Sequence, residues 1–192
     1  MITTLTEQTE TPPLDEIRLA RDALTNSHAF AELYRRHVTR VYRYHVAHIG
    51  NPKDAEDLTS QTFMAALEGL RSFRGSSSFA AWIMGIASKK RLMYFRGRKT
   101  ELPLDEALHY PSPSLPTDKA ALQRLELNSL TGALRRIAPE RAEVLILSYF
   151  GGLSHLEVSR VLNKSEAAVK MLISRGLQDL RERTSLSLEV EL

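Results

Sequence analysis

The chain has 192 residues, is 43% hydrophobic and 26% charged, carries a net charge of +3, and contains no cysteine. These values exclude a disulfide framework, a zinc knuckle and a thiol nucleophile, and they leave room for two compact soluble units. No apolar run nears the roughly 18 residues of a membrane span. The opening MITTLTEQTETPPLDE has neither the basic nor the apolar stretch of a signal peptide, so a cytoplasmic protein is expected.

Residues 1–13 are Thr- and Glu-rich, end in Pro12-Pro13, and read as a loose tail. Helical patterning then runs from near Asp15 to about Arg98. Ala29, Phe30, Leu33, Tyr34, His37, Val38, Val41 and Tyr42 recur at three- and four-residue steps, the stripe of an amphipathic helix. Gly50-Asn51-Pro52 breaks it. Ala55, Leu58, Thr59, Thr62, Phe63, Ala66, Leu67 and Leu70 form the next stripe. RSFRGSSS follows as a loop, and Ser78 is the expected N-cap of a helix carrying Phe79, Trp82, Ile83, Ile86 and Ala87.

Segment 100–117, TELPLDEALHYPSPSLPT, holds four prolines and no sustained period, so residues 99–117 are expected to link two units that each own a core. A second helical unit is expected over 118–183, with 184–192 as a C-terminal tail. No strand-like alternation survives in either half. The fold class is all-α.

The second unit is punctuated by caps. Pro139 suits a first helical turn, where its missing N–H is not needed. Gly151-Gly152 ends that helix, and Ser154 with Glu157 makes a capping box for a short helix containing Val158, Val161 and Leu162. Asn163 can turn the chain through the left-handed region, and Ser165 caps a last helix with Val169, Ile173 and Leu180 on its core side. Short helix, tight turn, capped second helix is the helix-turn-helix order; the same order also fits a helical hairpin that merely packs. Lys164, Ser165, Glu166, Lys170, Ser174 and Arg175 form a polar face compatible with DNA contacts.

Charge is unevenly spread. From Arg71 to Thr100 there are eight cations (Arg71, Arg74, Lys89, Lys90, Arg91, Arg96, Arg98 and Lys99) and no acid, whereas residues 54–57 read DAED. A basic block beside an acidic one points to two partners of opposite character, although a charge run is usually a solvated face. The loop from Arg71 through Arg74 and Ser76 offers arginines and hydroxyls beside Trp82, suited to an unpaired base; Trp82 equally fits a core position on its stripe. His45 and His48, followed by Asp54 and Asp57, also fit the outline of a metal or hydrolytic centre, but Gly50-Asn51-Pro52 interrupts it.

Three stretches in this order resemble a bacterial RNA polymerase sigma factor of the extracytoplasmic function (ECF) group. AFAELYRRHVTRVYRY with IGNPKDAEDLTSQTF resembles the start of the sigma-2 domain, and FRGSSSFAAWIMGIASKKRLMYFR its promoter-melting helix. LRRIAPERAEVLILSYFGGLSHLEVSRVLNKSEAAVKMLISRGLQDLRE resembles the sigma-4 domain. The resemblance implies a non-enzymatic specificity subunit with no catalytic residue, cofactor, metal or small-molecule substrate. Its partners would be core RNA polymerase and promoter DNA, with an anti-sigma factor as a candidate regulator.

Carried over by position, Asp54, Glu56, Asp57, Leu58 and Gln61 are expected polymerase contacts. Arg71, Arg74, Ser76, Trp82, Lys89, Lys90 and Arg96 are expected on the −10 side. Lys164, Ser165, Glu166, Ala168, Lys170 and Arg175 are expected to face the −35 element. Gln61 stands where the family has a glutamate. Lys89 and Met93 replace residues that are usually Asn, then Asp or Asn, and Met171-Leu172-Ile173 replaces a common Ser-Arg-Leu. These departures bear on promoter sequence and strength. A polymerase-independent helix-turn-helix repressor and a degenerate sigma-like regulator are the competing functions.

Overall fold

Asn and Gly residues set the main helix ends. The computed structural model describes residues 14–101 and 130–189, and the regular elements among them are helical. Helix α1 spans Leu14–Asp22 and α2 spans Ser27–Ile49. The Asn26 side chain accepts the His28 N–H at the start of α2, and Gly50 ends that helix at φ 74°. Asn51 then caps α3, Pro52–Gly69, by accepting from the N–H groups of Lys53 and Asp54. A 3₁₀ turn, Leu70–Ser72, leads to the loop before α4, Phe79–Glu101. Ser78 Oγ accepts the Ala81 N–H at 3.1 Å, as the sequence predicts for that cap.

In the second unit, residues 130–135 are helical, and α5, Pro139–Leu145, runs on as a π turn, Ile146–Phe150. Helices α6, His155–Leu162, and α7, Glu166–Glu189, follow. The Ser154–Glu157 capping box is complete, and Asn163 takes the left-handed turn at φ 52°. Two helices outrun the sequence expectation: α4 passes Arg98 to reach Glu101, and α7 continues to Glu189 through the segment expected as a tail. No glycine or proline follows Gly176 to stop it. The expected tail 1–13 and the prolines of the expected linker lie outside the described residues.

Helix α1 is fastened to α2 by Asp15–Arg36 at 2.9 Å and Glu16–His37 at 3.1 Å. Beneath them, Leu33, Val41, Phe63, Phe79 and Ile83 are buried between α2, α3 and α4. Each such side chain contributes about 2 kcal/mol of burial free energy. The loop before α4 needs Gly75: its φ is 71°, and an added Cβ would sit 3.3 Å from Ile17 of α1. In the second unit Leu145, Leu147, Val158, Val169 and Ile173 are buried, and Arg141 holds Asp179 at 2.6 Å between α5 and α7.

The expectation of two separate cores is not met. Buried residues of both units form one continuous cluster, with the π turn packed on α2 and α6 packed on α4. The reason lies in the last two turns of α2, where Tyr44, His45, Val46, Ala47 and Ile49 are also buried. That end of the helix is apolar on more than one face, so it needs cover from two sides.

Candidate nucleic-acid interface

Helix α3 divides its acidic cluster by orientation. Glu56, Asp57 and Gln61 are exposed, while Leu58 is only 4% exposed and faces the core. Leu58 is therefore corrected from a polymerase contact to a packing residue: it lies on the same stripe as Ala55, Thr59 and Thr62. Asp54 is half-buried and accepts a hydrogen bond from Tyr94 of α4 at 2.6 Å, with Arg98 3.6 Å away. The exposed neighbours Met64 and Leu67 extend the Glu56–Gln61 surface with apolar area; sequence reasoning counted Leu67 in the core stripe.

On the basic side, Arg71, Arg74, Ser76, Lys89 and Arg96 are exposed and Lys90 is half-buried. Trp82 is half-buried, its ring 5.4 Å from that of Phe73 and 5.3 Å from that of Phe79. It thus packs and borders the loop at once. Met93 is exposed, as are Leu92 and Phe95, so the cationic helix also carries an apolar face. Cations for a backbone and apolar faces for bases are the two requirements for holding single-stranded DNA.

The helix-turn-helix leaves its second helix open. Ser165, Lys170 and Arg175 are exposed, and Glu166, Ala168 and Lys164 are half-buried. Ser165 Oγ accepts the Ala168 N–H at 3.2 Å, which spends that side chain on capping. Lys170 pairs with Glu166 at 2.7 Å, and this bond holds the Glu166 carboxyl below its usual range. Lys164 reaches back to Glu140 at 3.2 Å. Leu172 packs against the core rather than toward a DNA partner, so its departure from the family pattern falls on the packed side of α7.

Sequence reasoning did not single out the polar cluster between the units. Glu143 of α5, 7% exposed, accepts from Tyr44 Oη at 2.8 Å and pairs with Arg91 of α4 at 2.9 Å. Arg91 Nε donates to the same Tyr44 oxygen at 3.1 Å. His48 Nε2 lies 3.3 Å from Glu143 Oε2 but has no partner in hydrogen-bonding geometry among the described residues. Burial pushes the Glu143 carboxyl upward, against the pull of Arg91. Burial, then the Arg91 charge, drives His48 well below its ordinary value and keeps it neutral. Arg91 stood in the cationic block, but its partner lies 52 positions away in sequence, beyond any local pattern.

A second polar tie joins Ser78 Oγ, donating, to Glu157 Oε1 of α6, and Arg135 donates to the carbonyl of Ile49 at the end of α2. Beside these ties a groove of about 680 Å³ runs between the units, with Leu92, Phe95, Leu134 and Ile146 among its walls. His45 is buried away from it and bonds Thr62 Oγ1 at 3.0 Å. Burial lowers its pKa to about 4. The two histidines therefore serve different contacts and do not converge with Asp54 and Asp57.

Comparison with known proteins agrees with this layout. Residues 33–101 match the sequence model of sigma-70 region 2, and residues 127–180 match that of sigma-70 region 4; together they span well over half the chain. The ECF RNA polymerase sigma factor BldN of Streptomyces coelicolor is 33% identical over 155 residues, 79% of this chain and 59% of that protein. RNA polymerase sigma factor YlaC of Bacillus subtilis is 28% identical over 164 residues, covering 83% of this chain and 94% of the relative. Among solved structures, CnrH in complex with the cytosolic domain of CnrY superposes with a TM-score of 0.73 at 24% identity, over 89% of this chain and 97% of that one. Sigma factor RpoE in complex with the anti-sigma factor NepR from Bartonella quintana gives 0.66 at 21% identity, over 80% and 94%. These two likenesses establish the fold, and the sequence matches carry the family. The chain belongs to the sigma-70 family of RNA polymerase sigma factors, in its ECF group.

Proposed function

We propose that this chain binds core RNA polymerase, directs it to promoters, and opens the DNA there as an ECF sigma factor without catalytic chemistry of its own. The observation that carries the reading is the pairing, on one chain, of a cationic helix that carries no acidic residue from Phe79 to Thr100 with a capped helix-turn-helix whose outer face is open. Glu56, Asp57 and Gln61, with Met64 and Leu67 beside them, supply the polymerase-facing surface of α3. A charged rim around apolar anchors is the common make-up of such interfaces.

The −10 element is assigned to Arg71, Arg74, Ser76, Trp82, Lys89, Lys90 and Arg96. The −35 duplex is assigned to α7 through Lys170 and Arg175, with Lys164, Ser165 and Glu166 at its start. No helix among the described residues is long and apolar enough to cross a membrane. A cytoplasmic site of action follows from the partners proposed. An anti-sigma factor is a further proposed partner, in keeping with the complex of RpoE with the anti-sigma factor NepR.

Run-off transcription tests the reading. Core polymerase is supplied with this chain and genomic fragments, and the start sites are sequenced. Initiation at a shared set of upstream motifs is expected. Duplex binding with no polymerase-dependent transcript would instead assign a repressor.

A further inference from the structure

The cluster around Glu143 joins a cationic DNA-opening helix to a unit that carries its own DNA-binding helix. We propose that Glu143 is an intramolecular stand-in for a DNA phosphate, masking Arg91, and that Arg91 becomes a contact to the opened strand once the second unit moves away. The inference rests on the sigma-factor reading above and names a contact and a regulation within it.

The first support is the chemistry of the cluster. Arg91 is held by Tyr44 Oη at 3.1 Å, a contact that lies wholly within the first unit and so persists when the units part. Its other partner, the Glu143 carboxylate at 2.9 Å, comes from the second unit. A guanidinium positioned by a buried hydroxyl and facing an anion is a preorganised phosphate site, because phosphate and carboxylate present similar acceptor oxygens to the guanidinium. His48 Nε2, buried without a hydrogen-bond partner among the described residues, lies 3.3 Å from the same carboxylate.

The second support is where the units touch. The helix-turn-helix packs on α4 through its first helix, α6, and Glu157 of that helix holds Ser78 at the N-terminus of α4. Glu143 and Glu157 thus cover two places on the strand-opening helix. Lys170 and Arg175 of α7 stay exposed meanwhile. Closure is therefore one-sided: it withholds Arg91 and Ser78 from a single strand and leaves the duplex-binding face available.

The third support is the balance of the cluster. Burial raises the Glu143 carboxyl even though a cation lies beside it, so the closed contact bears a desolvation cost that exposure to water removes. Such a pair is well suited to exchange, since a strand of DNA offers Arg91 an equivalent anion.

The test uses the full chain with cysteines introduced at His28 and Gln178, both exposed and in different units, for a fluorescent donor and acceptor. No native cysteine interferes. The probe is a labelled 20-nucleotide single strand of mixed sequence. Glu143→Gln with Glu157→Gln is expected to lower energy transfer and tighten single-strand binding about tenfold, steepening the log–log salt slope by about 0.7. Arg91→Ala alone is expected to lower energy transfer without tightening binding. Adding it to the double variant should cancel the gain. Binding to duplex DNA should stay unchanged in all three.

High energy transfer in both carboxamide and Arg91→Ala chains would overturn the mask. An opened double variant whose single-strand affinity is insensitive to Arg91→Ala would overturn the contact. Circular dichroism confirms that each variant is folded, and core-polymerase binding is measured in parallel. A wild-type chain that fails to bind core polymerase defeats the sigma-factor reading itself, whereas intact core binding with no unmasking defeats only this proposal.

Discussion

Tyr94 of the cationic helix donates a 2.6 Å hydrogen bond to Asp54 of the acidic helix, and Arg98 lies over the Tyr94 ring with its guanidinium carbon 5.1 Å from the centroid. The first carboxylate of the DAED cluster is thus turned inward, toward the cationic helix. Asp57 is exposed on the outer side of the same helix.

Two variants should therefore part company. Glu56→Lys with Asp57→Lys is expected to weaken core-polymerase binding at least about tenfold, since an interfacial charge reversal replaces attraction with repulsion. Asp54→Asn should leave that affinity within about threefold, because the pair it breaks is partly exposed and worth under about 1 kcal/mol. Its effect should show instead as faster amide exchange in the last turns of α4. Equal losses of polymerase binding in both would return Asp54 to the interface.

Acid should destabilise the fold through His45. Its pKa is about 4 when folded and near 6.5 when unfolded, so only the unfolded chain takes up this proton between those values. The contribution is fully present above pH 6.5 and is lost as pH falls toward 4, on the order of 3 kcal/mol in all. Burial of His48 acts in the same direction, and the raised Glu143 carboxyl acts in the opposite one. Urea titrations of wild type and His45→Asn across pH 7 to 4.5 isolate this contribution. The variant should show a clearly shallower fall; parallel curves would place the proton elsewhere.

Gly151, the residue that ends the π turn, lies against Met84 of α4. A Cβ there would meet the Leu147 carbonyl oxygen at 2.6 Å and Met84 Cε at 3.0 Å. Gly151→Ala is expected to cost about 1–3 kcal/mol, as overpacking does when a backbone atom must give way. Chemical denaturation measures it. No change in stability would show that the turn can shift freely.

Recognition of the duplex should depend on Arg175 and Lys170 in an ordinary electrostatic way. Replacing Arg175 by alanine is expected to weaken duplex binding and reduce the salt slope by about one unit. The Lys170 change should weaken binding at least as much, because its loss also frees Glu166, 2.7 Å away, to repel phosphate. Fluorescence anisotropy at several salt concentrations separates the two.

The local rules were readable residue by residue. Asn51-Pro52, Ser78, the Ser154–Glu157 box and the left-handed Asn163 all occupy their expected places, because capping depends on atoms within a few positions. Leu58 belongs both to the DAEDL motif and to the apolar stripe, and its 4% exposure assigns it to the stripe, because a linear motif does not state which face each member takes. Leu67 failed in the opposite sense: apolar and in register, yet exposed, since no periodicity says whether a partner covers a face.

By itself, the sequence determined an all-helical chain, the punctuation of its helices, and the order of a cationic helical unit before a helix-turn-helix. These follow from periodicity, caps and local charge, which act over one or two turns. The tertiary structure alone decided that the two units share one core, and that Glu143 meets Tyr44 and Arg91 across 99 and 52 positions. It also decided that Asp54 turns inward. Such contacts arise when separate elements bury complementary faces, and a linear pattern records which faces are apolar but not which of them meet.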